Sequence, residues 1–318
     1  MHYTININNI NKEKAVLLID AGIQAYAAFN SKEPATCRQA EIIPPIGYDF
    51  IDSWTGVDSI FSKDKTVECY GVVFRSQAAP YTYIFAFRGT DSLLDVLDDL
   101  GAELKPFTPH AGAKLPVPKK VEVESGFYDI YSESDDHSKT ASMQNQLFKL
   151  IDTYQTSDKP INELYITGHS LGSALSELFT LDVALCRPDL VASNYNYACP
   201  RVGNSEFVAF YDQQESQQNA ATRTLRFQNI YDKVPCVPPE DMGFQHLPDA
   251  FLIAFYEEGC LEKHNLLARH SSANYQAVLN CAAQSENGMC IVEKMDVPAN
   301  GYAVTSEEPN QNKVCSLF

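Results

Sequence analysis

The sequence predicts an α/β fold, a mostly parallel central sheet flanked by helices, and three observations predict it. Strand-like runs at 81–87, at 164–167 and within "TRTLRFQNIY" are interleaved with runs whose apolar residues recur every three or four positions. The stretch "LYITGHSLGSALSELF", Leu164 to Phe179, passes from the first pattern to the second through a serine set between two glycines. No Gly/Ser-rich linker or repeat divides the 318 residues, so one domain over 1–318 is expected, with a core at about 10–285 and an irregular tail at 286–318.

The first element is "KEKAVLLIDAGIQAYAAF". Asp20 and Gln24 interrupt its apolar stretch, which suits an amphipathic helix better than the core of a signal peptide. On that reading the protein is cytoplasmic, or leaves the cell by a route that uses no cleaved signal.

Next comes "YTYIFAFRGTDSLLDVLDDL". Tyr81 to Phe87 reads as a core strand and Arg88-Gly89 as a turn. Thr90 then offers an N–H and a hydroxyl that could point at a site, although a threonine before aspartate is also an ordinary helix cap. Leu93, Leu94, Val96, Leu97 and Leu100 alternate with Asp91, Asp95, Asp98 and Asp99, so a helix here has one greasy face and one acidic face. Such a helix is either fixed on the surface or a mobile lid.

In the third element Leu171, Ala174, Leu175, Leu178, Leu181 and Leu185 follow the serine at helical spacing. A nucleophilic serine at a strand-to-helix elbow sits in strained backbone, so the positions two before and two after it must be small, as Gly168 and Gly172 are. The Leu171 N–H, at the helix start, would face an oxyanion formed beside Ser170.

A serine needs a base, and the base an orienting carboxylate; at such an elbow these follow in the order acid, histidine. His2, His110, His137 and His169 do not follow the serine at a distance, which leaves His246, His264 and His270. Asp182 and Asp212 sit in helical patterns and Asp189 follows a proline at a helix end. Asp232 directly follows the strand in "TRTLRFQNIY", where catalytic groups belong, and is the predicted acid. His270 opens the helix entry "HSSANYQAVL" and is the predicted base, with His264 as the alternative.

Composition narrows the function classes. The excess of 41 acidic over 24 basic residues, net −17, argues against nucleic acid, which needs a basic face. No apolar run of 18 residues exists to span a membrane. The nine cysteines include no C-x-x-C pair and no His/Cys cluster at metal spacing, so no metal is expected. Cys69, Cys186 and Cys199 read as buried free thiols; any disulfide is expected among Cys260, Cys281, Cys290 and Cys315.

Seven segments in order, "FAFRGT", "SGF", "ITGHSLGSA", "CPRVGN", "NIYDKVPCVPP", "GFQH" and "HSSANY", together resemble the class 3, fungal-type triacylglycerol lipases of the α/β-hydrolase superfamily. The resemblance implies Ser170 as nucleophile, Asp232 as acid, His270 as base, and Thr90 and Leu171 as oxyanion donors. It further implies Asp99 as the residue that fixes Thr90, and a lid where "DSLLDVLDDL" stands. The family often carries a histidine two positions before the Gly-Phe of the "SGF" strand; here that position is Glu124. The stretches 101–120 and beyond Ala283 match nothing in the resemblance.

The expected function is a serine carboxylesterase, a lipase acting on acylglycerols without metal or organic cofactor. Its expected partner is a lipid or ester substrate, with a lipid–water interface as one setting. A phospholipase A1 or feruloyl-type esterase on the same fold is the alternative, and a non-catalytic binding protein the remote one.

Overall fold

The structure, a computed structural model, describes residues 3–4, 10–58, 65–90, 103–217, 224–253, 255–257, 269–284 and 302–304. After β1 (Tyr3–Thr4) comes α1 (Lys12–Ala27), the helix that the sequence predicts. The Asn11 side chain accepts the Lys14 N–H at 2.8 Å and starts it. Ala15, Leu18, Ile19, Ala21 and Ala25 are fully buried, and the small residues among them let the helix approach the sheet closely.

β2 (Tyr48–Asp58), β3 (Thr66–Ser76) and β4 (Thr82–Phe87) form an antiparallel meander. Then follow β5 (Leu104–Pro106), β6 (Glu122–Glu124), α2 (Ser125–Ser132), α3 (Met143–Gln155), β7 (Glu163–His169) and α4 (Leu171–Cys186). The remaining elements are β8 (Ala192–Tyr197), β9 (Gly203–Asn204), α5 (Ser205–Gln217), β10 (Leu225–Asn229), β11 (Phe244–Gln245), β12 (Asp249–Ile253), β13 (Phe255–Glu257), α6 (Ser272–Gln284) and β14 (Tyr302–Val304).

Among the described residues the main sheet runs β1-β12-β10-β8-β7-β4-β3-β2. From β1 to β4 its neighbours are parallel, which bears out the predicted mostly parallel sheet. Their C-terminal ends lie together along one edge, so Thr90, Ser170 and Asp232 all follow strands that finish there. A small antiparallel sheet, β11-β9-β6-β5, takes in part of the 101–120 stretch. Near the C-terminus β14 pairs with β13.

The pleat divides the core. Tyr83, Phe85 and Phe87 of β4 face Leu175, Phe179, Phe127 and Leu147 on one side. Ile84 and Ala86 face α1 and α6 on the other. Each inward aromatic contributes about 1.5–3 kcal/mol by leaving water, so both layers are needed to hold the strands that carry the loops.

Two expectations are corrected. Gly126 and Phe127 of "SGF" lie in the first turn of α2, not in a strand, because the buried Glu124 carboxylate accepts the Phe127 N–H at 2.8 Å and caps a helix there. Phe127, Tyr128, Ile130 and Tyr131 then form its buried stripe. Cys69 is not a free thiol: it is bonded to Cys37, with a Cα–Cα distance of 5.2 Å. Its N–H also donates to the Pro34 carbonyl at 2.7 Å, so the loop after α1 folds onto β3 and delivers Cys37, a long-range contact that local pattern does not carry. Cys186 and Cys199 are free and buried as expected. Cys281, in the quarter where a bridge is expected, is disulfide-bonded.

Candidate active site

Ser170 occupies the turn between β7 and α4 with φ 60° and ψ −132°. That sparsely populated positive-φ conformation costs a non-glycine residue roughly 1–3 kcal/mol, so its surroundings must impose it. The Ser170 N–H donates to the Tyr197 carbonyl of β8 at 3.0 Å. Ser173 Oγ lies 2.7 Å from the carbonyls of both Gly168 and Tyr197 and accepts the Tyr197 N–H at 3.1 Å. A Cβ on Gly168 would strike the Gly172 carbonyl and come within 2.8 Å of the Ser173 nitrogen; one on Gly172 would lie 2.5 Å from the Phe87 oxygen. Close backbone approach therefore requires both glycines.

The same approach brings in the loop after β4. A Cβ on Gly89 would fall on the Tyr26 hydroxyl, 2.6 Å from the His169 oxygen and 3.0 Å from Ser170 Cβ. Thr90 is the next residue, and the buried Leu171 opens α4. Arg88 anchors this loop: its Nε donates to the Cys69 carbonyl at 2.9 Å, its guanidinium pairs with Glu68 at 2.6 Å, and it lies 3.8 Å over the Phe29 ring. The disulfide-bonded Cys69 thus supports the loop that leads to Thr90.

Asp232 follows β10 in a turn closed by its N–H on the Asn229 carbonyl at 2.9 Å. Its Oδ1 accepts the Val234 N–H at 3.0 Å; its Oδ2 accepts from His270 Nδ1 at 2.8 Å and from the Tyr275 hydroxyl at 3.0 Å. Three donors on one buried carboxyl fit the ionised form. Burial holds the Tyr275 hydroxyl well above its ordinary pKa, so it stays a donor. With Nδ1–H committed to Asp232, the His270 Nε2 carries the lone pair. Among the described residues, His270 Nε2 and Ser170 Oγ are both buried without a hydrogen-bond partner.

The structure therefore brings Asp232 against His270, and Gly89, the residue before Thr90, against the elbow. It separates the other candidates. His246 Nε2 lies 2.7 Å from the Pro235 carbonyl. Asp182 is buried in α4, where it accepts from the His110 N–H, Tyr131, Gln144 and Cys186. His264, Asp99, Leu93, Leu94, Val96 and Leu97 lie outside the described residues.

Residues that the sequence reading did not assign complete the surroundings. Tyr275, in the "HSSANY" segment, bridges Asp232 and the Asn229 N–H, which it accepts at 2.7 Å. Asn229 Nδ2 donates to the Arg269 carbonyl at 2.9 Å. His169 lies between Tyr26 and the His270 backbone. No local pattern marks these roles, since each partner is remote in sequence. Behind the elbow, the Glu177 carboxylate accepts from Asn196 at 2.9 Å and from the Cys199 thiol at 3.4 Å. Burial pushes its pKa up to about 7 against the opposing charge of Arg226. Burial also raises that of Glu124, more than its bonds to the Phe127 and Gly126 N–H groups lower it. Among the described residues no His/Cys/Asp/Glu group is arranged to hold a metal ion, and no helix is long and apolar enough to cross a membrane.

A family model described as lipase (class 3) matches residues 84–242, half of the chain. A secreted mono- and diacylglycerol lipase of Malassezia globosa is 31% identical over 163 residues, covering 51% of this chain and 49% of that protein. A lipase of Rhizopus niveus is 30% identical over 241 residues, 73% of this chain and 55% of that one. A chloroplastic phospholipase A1 of Arabidopsis thaliana is 32% identical over 166 residues, 48% of this chain but only 30% of its own length. The chain thus spans about half or less of these curated relatives. The solved lipase of Rhizopus microsporus var. chinensis shares the fold with a TM-score of 0.55 at 24% identity, over 79% of this chain and 75% of that one.

Proposed function

Because the chain belongs to the class 3 lipase family, we propose that it is a serine carboxylesterase that hydrolyses acylglycerol esters through Ser170, His270 and Asp232. The observation that carries this reading is the buried Asp232–His270 pair at 2.8 Å, with His270 Nε2 and Ser170 Oγ both left unpaired. A buried polar atom without a partner is costly, and two of them beside a strained elbow are what a site held ready for substrate would carry.

In the proposed mechanism His270 Nε2 takes the Ser170 proton as Oγ attacks the ester carbonyl, and Asp232 stabilises the imidazolium that forms. The Leu171 and Thr90 amides stabilise the tetrahedral oxyanion. His270 returns the proton to the leaving alcohol, then activates the water that releases the acid. Asp99 is proposed to fix Thr90, and the amphipathic run with Leu93, Leu94, Val96 and Leu97 to cover the cleft as a lid. The Cys37–Cys69 bridge favours an oxidising compartment, and so export over the cytoplasm.

The expected result for Ser170→Ala is loss of hydrolysis by at least ~10³-fold and loss of labelling by a fluorophosphonate, with the fold retained; labelling that persists sinks the mechanism. Replacing Leu93 and Leu94 by serine should depress turnover of emulsified long-chain glyceride far more than of a soluble short-chain ester, and equal losses would count against a lid. Similarity to the Arabidopsis phospholipase A1 favours phospholipid as a second reading; a purified-protein panel of glycerides and phosphatidylcholine separates the two by kcat/KM.

A further inference from the structure

His169, the residue just before the proposed nucleophile, is fully buried and makes two directional bonds. Its Nε2 lies 2.7 Å from the His270 carbonyl and its Nδ1 lies 2.9 Å from the Tyr26 hydroxyl. A carbonyl oxygen only accepts, so Nε2 must carry a proton. Burial, and then the neighbouring His270, hold the His169 pKa well below its ordinary value. The ring is therefore neutral, Nδ1 carries no proton, and Tyr26 donates to it. One tautomer satisfies both contacts.

That tautomer connects three loops. Nε2–H grips the backbone of His270 while the ring packs against the His270 ring, centroids 4.5 Å apart. His169 is continuous with Ser170. The Tyr26 hydroxyl that sets the ring is the atom against which Gly89, beside Thr90, is packed. The neighbouring carbonyl, of Arg269, is held by Asn229 Nδ2, so side chains from the ends of β7 and β10 grip two consecutive peptide carbonyls at the base.

Resting on the proposed triad, we infer that His169, oriented by Tyr26, is a positioning residue: its Nε2–H holds the His270 backbone on the segment that carries the proposed base, and so sets where the His270 imidazole stands for its proton transfer with Ser170. It touches neither substrate nor the reacting atoms. The bland alternative is a histidine that merely fills the core, with its two bonds satisfied. The two differ in what a donor of the same reach restores.

The test uses the full chain with a soluble short-chain 4-nitrophenyl ester and three variants, His169→Leu, His169→Gln and Tyr26→Phe. Glutamine can place an N–H close to the Nε2 position; leucine cannot. His169→Leu should lower kcat by about 30- to 100-fold, the scale expected from misplacing a catalytic group by about an ångström, with KM within twofold. His169→Gln should recover most of that loss. A kcat within threefold of wild type in His169→Leu, or equal losses in the leucine and glutamine variants, overturns the inference. If His169→Leu does not fold, as judged by circular dichroism, Tyr26→Phe decides: a kcat lowered several-fold at unchanged KM supports the inference, and a wild-type kcat overturns it. Activity that persists in Ser170→Ala removes the triad and this inference together. An inactive Ser170→Ala beside an undiminished His169→Leu removes this inference alone.

Discussion

The proposed nucleophile and its partners are held by different means. Ser170 is fixed largely by main chain: its own N–H on Tyr197, and the close approaches that require Gly168, Gly172 and Gly89. Asp232 and His270 are fixed largely by side chains from elsewhere, Tyr275 on the carboxylate, Asn229 on the Arg269 carbonyl and His169 on the His270 carbonyl. Backbone packing tolerates no intermediate position, whereas side-chain hydrogen bonds can be removed one at a time. The elbow should therefore fail abruptly and the base in steps.

The largest effect expected from this difference is at Gly172. In Gly172→Ala the new Cβ lands 2.5 Å from the Phe87 oxygen and 2.7 Å from the Arg88 carbonyl carbon, backbone that cannot swing aside. A loss on the order of 3–5 kcal/mol, or no soluble protein, is expected in urea denaturation. A stability within ~1 kcal/mol of wild type would mean that the elbow yields, and would break the division just drawn.

A smaller effect tests the one titratable group that ties α4 to β8 behind the elbow. The Glu177 pKa stands at about 7 in the folded protein against 4.5 for an ordinary glutamate, chiefly through burial. Between those values the folded state keeps a proton that the unfolded state releases, so Glu177's contribution is full below about pH 4.5 and is lost as pH rises to about 7. The whole span is on the order of 3 kcal/mol. Glu177→Gln should flatten the decline of stability across that window, as read from denaturation midpoints at a series of pH values; an unchanged slope would assign the decline to other groups.

The smallest effect is expected on the side-chain-held half. Tyr275→Phe removes one donor from Asp232 and leaves the Asn229 N–H without its 2.7 Å acceptor. A cost of about 1–3 kcal/mol and a partial fall in kcat are expected, because Val234 and His270 still bond the carboxylate. A loss as complete as that of Ser170→Ala would show that the acid depends on one contact and not on several.

The strand–serine–helix order, the helix at Lys12–Ala27, the strand at Thr82–Phe87 and the position of Asp232 after β10 were all legible in the sequence. Each depends on periodicity or on a small residue at a fixed offset, which are properties of neighbours in the chain. The Cys37–Cys69 bridge was not legible, since the sulfurs meet only when the loop after α1 lies on β3. Nor was the start of α2 at Ser125, because Glu124 caps a helix only once β6 has delivered it there. The sequence by itself determined the sheet, the elbow and the residue types proposed for acyl transfer, because short-range sterics and burial dictate them. Only the tertiary structure decided what holds the acid and base. Tyr26 meets His169 across 143 positions and Tyr275 meets Asp232 across 43, and hydrogen bonds at such separations exist only after the strands have been placed side by side.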